Sequence, residues 1–172
     1  GAIGVGWVGG TRVETLSRTA LVDKLHICDI KPDRLAELKA CYRPATATLD
    51  YQDIIKNDNI SVVFISTTPE TNHYPIARDC LKAGQNVMLE KPIALELWEA
   101  DELIHLAKTN NLKFTIGYSQ RFNTKIAFAK KKIMDGTLGN VVSVLVSRHL
   151  SRERGKKIAG RVRLSPVRME WT

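Results

Sequence analysis

Three glycines near the start of the chain, Gly4, Gly6 and Gly9, are spaced G-x-G-x-x-G, and Asp29 follows twenty positions after the last of them, at the end of an apolar run. This pairing constrains the fold more than any other feature. Gly4 permits a tight strand-to-helix turn. Gly6 has no Cβ to keep an anion from the backbone, and Gly9 lets a helix pack closely on a sheet. The glycines follow the apolar Ala2 and Ile3 and open an amphipathic stretch over residues 8–20. Residues 24–29 then read as a buried strand ending in the acid. Amides that open a helix, here those around Trp7 and Val8, lack intrahelical partners and sit at the positive end of its dipole, which suits a phosphate. Glycine-rich turns also serve structure alone, but this strand–turn–helix–strand context argues for a bound dinucleotide. Asp29, followed by Ile30, would accept hydrogen bonds from the ribose hydroxyls and repel a 2′-phosphate, so NAD is favoured over NADP.

Beyond Asp29, short apolar runs keep alternating with helical patterns, the signature of βαβ units and a parallel sheet. Pro32 opens a helix to about residue 41, in the first-turn position that suits proline. Residues 45–49 form a weak strand. Asp50 caps a short helix over 51–56, with Asp53 at the capping-box position. Residues 60–66 make a β-branched buried strand. Thr71 or Asn72 caps a helix to residue 83, which Gly84 stops. Strands follow at 86–89 and 113–116, with an amphipathic helix over 96–109 between them. Residues 122–134 are helical and end at Gly136, and 141–147 is expected as a strand outside the βα rhythm. The fold class is α/β, a doubly wound parallel sheet over residues 1–120, with a further domain beginning in 121–172. Only residues 1–3 stand for the first strand, and a new sheet begins near the end, so the expectation is a protein roughly twice as long.

The formal charge of +8 on 172 residues is uneven. Eight of the 26 basic residues but only two of the 18 acidic ones lie from Arg148 onward, leaving the body nearly neutral. A basic region of this kind holds an anionic substrate group, a nucleic acid, or only solvent. It lacks the interleaved aromatics that stack bases, so nucleic acid is disfavoured. No apolar run spans a bilayer, and no basic-then-apolar leader opens the chain. Cys28, Cys41 and Cys80 are spaced as neither a disulfide framework nor a metal site, so no metal is expected and a reducing cytoplasm fits. Cys28 and Cys80 read as small buried hydrophobes.

Ligands of open α/β sheets bind at the carboxyl ends of the strands. Four such ends converge here: Gly4–Gly9, Asp29–Lys31, Ser66–Pro69 and Leu89–Pro92. Ser66, Thr67 and Thr68 offer hydroxyls and amides toward a ribose or nicotinamide, or form a plain polar turn. In Glu90-Lys91-Pro92, Lys91 could stabilise a developing alkoxide or tune a general base, with Glu90 positioning it; the alternative is a strand-end ion pair. His73 begins a helix facing the same edge. Arg121 follows the strand ending near Gly117 and reaches toward cofactor or substrate, or is a surface arginine. His26, His105 and His149 read as structural, and Lys130, Lys131 and Lys132 as a solvated helix face.

Together these residues resemble the glucose–fructose oxidoreductase and inositol dehydrogenase family (Gfo/Idh/MocA) over residues 1–148. The resemblance rests on the glycine turn, Asp29, Ser66-Thr67-Thr68-Pro69 with His73, Ala83-Gly84-Gln85-Asn86-Val87, Glu90-Lys91-Pro92, Gly117-Tyr118-Ser119-Gln120-Arg121-Phe122 and Gly136-Thr137-Leu138-Gly139. It implies a Rossmann domain followed by an α+β domain with an open, largely antiparallel sheet used for homo-oligomerisation. It also implies hydride transfer to or from a sugar, cyclitol or related polyol, with Lys91 contacting substrate and nicotinamide. A histidine outside this chain would be the acid/base. Two departures stand out: Glu70 replaces the usual Asn after Pro69, and Met169-Glu170-Trp171-Thr172 lacks the aspartate expected where the family's Asp-x-Gly-x-His-Asp segment begins. Within the resemblance, an NAD-using lyase or glycosidase without net redox change is the alternative activity. A non-catalytic NAD-binding regulator is the alternative from outside enzymology.

Overall fold

The structure, a computed structural model, describes residues 1–147, 149, 151–153, 155 and 156. The expectations placed on the basic region from residue 148 fall largely outside these residues, and Met169–Thr172 falls wholly outside them. The chain divides into one compact unit, Gly1–Gly117, and a second beginning at Tyr118.

In the first unit the elements alternate as the apolar rhythm requires: β1 (Ala2–Ile3), α1 (Trp7–Ser17), β2 (His26–Cys28), α2 (Pro32–Tyr42), β3 (Thr46–Thr48), α3 (Gln52–Ile55), β4 (Val62–Ile65), α4 (His73–Lys82), β5 (Asn86–Leu89), α5 (Leu97–Thr109) and β6 (Phe114–Ile116). The strands form one six-stranded sheet in the order β3-β2-β1-β4-β5-β6. Every pairing is parallel. The two-residue β1 is central, with Ala2 opposite Ile27 and Phe64, and Ile3 opposite Cys28 and Ile65. The strand order therefore reverses beside β1, the switch point where such sheets open a crevice.

Period-two alternation sends successive strand residues to opposite faces. Ile3, Cys28, Val63, Ile65, Val87 and Leu89 pack with Ile54 of α3, Ile76 and Leu81 of α4, and Leu103 of α5. Ala2 and Ile27 pack on the other face with Val13 of α1 and Leu35 and Leu38 of α2. Both faces are covered, which is why the strands read as nearly continuous apolar runs.

Local signals act mostly as expected. Pro32 occupies the first turn of α2. Gly84 ends α4 with φ +82°, and Glu96 caps α5 in a capping box with Glu99. Two caps differ. Neither Thr71 nor Asn72 caps α4, which is instead entered through a 3-10 turn, Glu70–Asn72. Asp50 Oδ1 accepts the Gln52 amide at 2.9 Å, but Asp53 is taken by the Thr48 hydroxyl rather than completing a box.

The second unit contains a 3-10 turn, Ser119–Phe122, and α6 (Thr124–Met134), capped by Asn123 Oδ1 on the Lys125 amide at 3.0 Å. The strand expected over residues 141–147 does not form. A strand's amides and carbonyls must be paired by a neighbour. No neighbour serves this segment among the described residues, and Val142 and Leu145 are each 95% exposed. No helix of the described residues is long and apolar enough to cross a membrane.

Candidate functional site

The carboxyl ends of β2, β1, β4 and β5 lie side by side in that order, and each carries one group of the expected residues. At β1 the backbone turns through Gly4, whose φ of +78° is the left-handed region that glycine adopts without strain. A Cβ there would also lie 2.7 Å from the Thr67 nitrogen and 2.8 Å from the Ser66 carbonyl oxygen, so the turn is pressed against the end of β4. A Cβ on Gly9 would overlap the Gly4 carbonyl oxygen, whereas one on Gly6 would meet nothing. Gly4 and Gly9 are thus required by packing inside the protein, and Gly6 leaves room outside it. Helix α1 starts at Trp7 without a side-chain cap, and Trp7 and Val8 are exposed there.

Asp29 stands directly after β2. Its Oδ2 accepts the Val5 amide at 2.8 Å and its Oδ1 the Lys31 amide at 3.0 Å. The carboxylate is therefore fixed against the glycine turn, and each oxygen retains a lone pair for a further donor. Ile30 beside it is exposed.

At the end of β4, Ser66 Oγ and Thr67 Oγ1 are buried without a hydrogen-bond partner among the described residues. Unpaired buried hydroxyls are unfavourable in isolation. Two of them in sequence beside the glycine turn fit a site completed by a polar ligand. Thr68 is exposed and precedes Pro69 through a cis peptide bond, as Lys91 precedes Pro92.

At the end of β5, Glu90 does not pair with the Lys91 side chain. Its carboxylate forms an ion pair with Arg12 of α1, and Oε2 accepts the Lys91 amide at 3.3 Å. Arg12 also lies 3.7 Å from Met88 Sδ. Its charge is drawn to Glu90 because both side chains are largely buried between α1 and the sheet, where water screens them little. The Lys91 side chain is exposed and makes no ion pair among the described residues.

His73, at the start of α4, is fully buried. Its Nδ1 is 2.7 Å from the Pro92 carbonyl oxygen and its Nε2 3.2 Å from that of Thr67. The ring thus sits between the β4 and β5 turns with both nitrogens facing the protein, and one N–H of a neutral ring can bond only one of the two carbonyls. Arg121 lies in the 3-10 turn of the second unit. Arg12, which holds Glu90, gave no sign in the sequence: it is one basic residue on an amphipathic helix.

A parallel sheet with a glycine turn at its switch point and an acid at the end of the neighbouring strand defines a dinucleotide-binding Rossmann domain. The chain belongs to the oxidoreductase family with an NAD-binding Rossmann fold, whose profile matches residues 1–118. It is 29% identical to myo-inositol 2-dehydrogenase of Thermotoga maritima over 139 residues, covering 81% of this chain and 41% of that protein. It is 32% identical to inositol 2-dehydrogenase/D-chiro-inositol 3-dehydrogenase of Lactiplantibacillus plantarum over 143 residues, again 81% of this chain and 40% of the relative. The solved structure of GenD2 from gentamicin A biosynthesis, in complex with NAD, matches with a TM-score of 0.74 at 25% identity, covering 79% of this chain and 38% of that one. The chain thus spans about two fifths of the length of the relatives it matches.

Proposed function

We propose that the protein is an oxidoreductase that moves a hydride between NAD and a hydroxyl or carbonyl carbon of a sugar, cyclitol or related polyol. In this reading residues 1–120 hold the cofactor, and the region from 121 begins the part that holds substrate and joins copies of the chain. The observation that carries it is the order of groups along one sheet edge: Asp29, the glycine turn, Ser66 with Thr67, then Lys91. Three strand spacings separate the first from the last, roughly 14–15 Å, a span that an extended dinucleotide bridges. The open space over Gly6 and the two unpartnered hydroxyls fit the pyrophosphate and the groups beyond it.

Asp29 would take the adenosine ribose hydroxyls and, by its charge, disfavour a 2′-phosphate, which supports NAD over NADP. Bound nicotinamide supplies the hydride acceptor or donor. Lys91, exposed and free of an ion pair among the described residues, would donate an N–H to the substrate oxygen and stabilise the alkoxide character that grows there as the carbon gives up hydride. Glu90 and Arg12 hold the turn from which Lys91 extends, and His73 Nδ1 lies against its Pro92 carbonyl. The inositol dehydrogenases among the relatives support cyclitols as the first substrates to try.

The test is a fluorescence titration of the intact protein with NADH and with NADPH, followed by NADH production on inositols and sugars. Binding of NADH in preference to NADPH, and turnover that Lys91→Ala abolishes while cofactor affinity holds, are the expected results. Preference for NADPH would overturn the role of Asp29. Binding of neither cofactor would overturn the whole reading, and turnover without net NADH would favour the alternative of an NAD-using lyase or glycosidase.

A further inference from the structure

Val5, the residue between the first two glycines, is fully buried and held at both ends of its backbone. Its amide donates to Asp29 Oδ2 at 2.8 Å, and its carbonyl oxygen accepts from Arg34 Nε at 2.8 Å. Arg34 also donates from Nη2 to the Gly6 carbonyl oxygen at 3.2 Å and from Nη1 to Glu37 at 2.6 Å. All three nitrogens of the guanidinium are therefore engaged, two of them on successive carbonyls of the glycine turn. The planar fork of arginine suits such paired acceptors, and lysine has no equivalent.

In a trans peptide the carbonyl and the following amide point in opposite directions. Fixing the Val5 carbonyl therefore aims the Gly6 amide away from Arg34, and the Gly6 carbonyl, held by the Gly10 amide at 2.8 Å as well as by Arg34, does the same for the Trp7 amide. The space over Gly6 is open. Gly10 stands beside this contact, and a Cβ there would overlap Arg34 Nη2. The turn motif itself asks for no glycine at that position.

We propose that Arg34 is a positioning residue that sets the amides of the glycine turn for an anionic ligand, and that position 10 is glycine to admit its guanidinium. This rests on the cofactor reading only for the identity of the ligand. The clamp itself can be tested without it.

Two measurements on the intact protein decide the matter. The first is amide hydrogen exchange without cofactor. Arg34→Ala is expected to speed exchange in the segment over residues 5–9 while the β4 and β5 amides keep wild-type rates. The second is NADH affinity, expected to fall about tenfold in Arg34→Ala, as for loss of hydrogen bonds from a charged donor. Gly10→Ala displaces only the far end of the arginine side chain, and alanine is the better helix former, so a loss there is not a loss of helix. It should match Arg34→Ala in both readouts. The double variant should be no weaker than either single, and Arg34→Lys should recover part of the loss. Unchanged exchange, or losses that multiply in the double variant, would overturn the clamp. A loss confined to NADPH with unchanged exchange would overturn it too, making Arg34 a direct phosphate ligand. If the wild type binds no NADH, the cofactor reading fails and exchange alone judges the clamp.

Discussion

The turn after β1 and the turn after β5 lie at one sheet edge but are built by opposite means. The first is defined by missing side chains: Gly4 and Gly9 each leave space that a neighbouring backbone fills. The second is defined by charged and polar side chains: Glu90 on Arg12, and the Pro92 carbonyl on His73. A contact made by backbone against backbone has no way to relax. One made through side chains can shift by a rotamer. Errors at the two turns should therefore differ in size and in kind.

The sharpest contrast lies inside the first turn. Gly9→Ala sets a methyl on the Gly4 carbonyl and is expected to lose about 3 kcal/mol or more, since neither backbone segment can yield. Gly6→Ala meets nothing and should stay within about 0.5 kcal/mol of wild type, yet lose NADH affinity because the methyl fills the approach to the turn. Urea unfolding with a parallel titration separates the two. Thiol labelling gives a second readout. Burial pushes the Cys28 and Cys80 thiols up to about 12, so at pH 8 both stay protonated and shielded, and the exposed Cys41 alone should react. The Cys28 carbonyl accepts the Gly4 amide at 2.9 Å, so Gly9→Ala should open Cys28 to the reagent. Equal stability of the Gly9 and Gly6 variants would break the comparison.

A smaller effect is expected at the second turn. Arg12→Met leaves Glu90 largely buried without its cation and should lose about 1–3 kcal/mol. Adding Glu90→Gln should restore part of that loss, because the orphaned charge goes with it. A double-mutant cycle on unfolding free energies measures the coupling. If the two losses simply add, the ion pair holds nothing and the turn rests on His73.

These contrasts follow the line between what was legible in the sequence and what was not. Glycines with fixed spacing, Gly84 and Gly136 at helix ends, and apolar runs such as 86–89 report local requirements, and the structure meets each of them. The partner of Glu90 lies 78 residues upstream, and nothing local to either residue marks the pair. His73 stood out as a residue at the site's edge, but only the packed turns reveal that both ring nitrogens lie against backbone carbonyls. Residues 141–147 are valine-rich and suited to a strand, yet a strand also needs a neighbour, and composition does not record one.

The smallest effect is expected between the two turns, and it has opposite signs for folding and binding. Thr67 Oγ1 is buried without a partner among the described residues, at the end of β4 where both the glycine turn and His73 meet the Thr67 backbone. Thr67→Val keeps the shape and removes a hydroxyl that the cofactor-free protein does not use. Unfolding free energy should therefore hold or rise, by no more than about 1 kcal/mol. If the hydroxyl is kept for a ligand, NADH affinity should fall severalfold in the same variant. A stability gain with unchanged affinity would leave the hydroxyl outside the site. A stability loss would mean that it has a partner in the protein after all, and that β4 belongs with the side-chain-built turn rather than standing between the two.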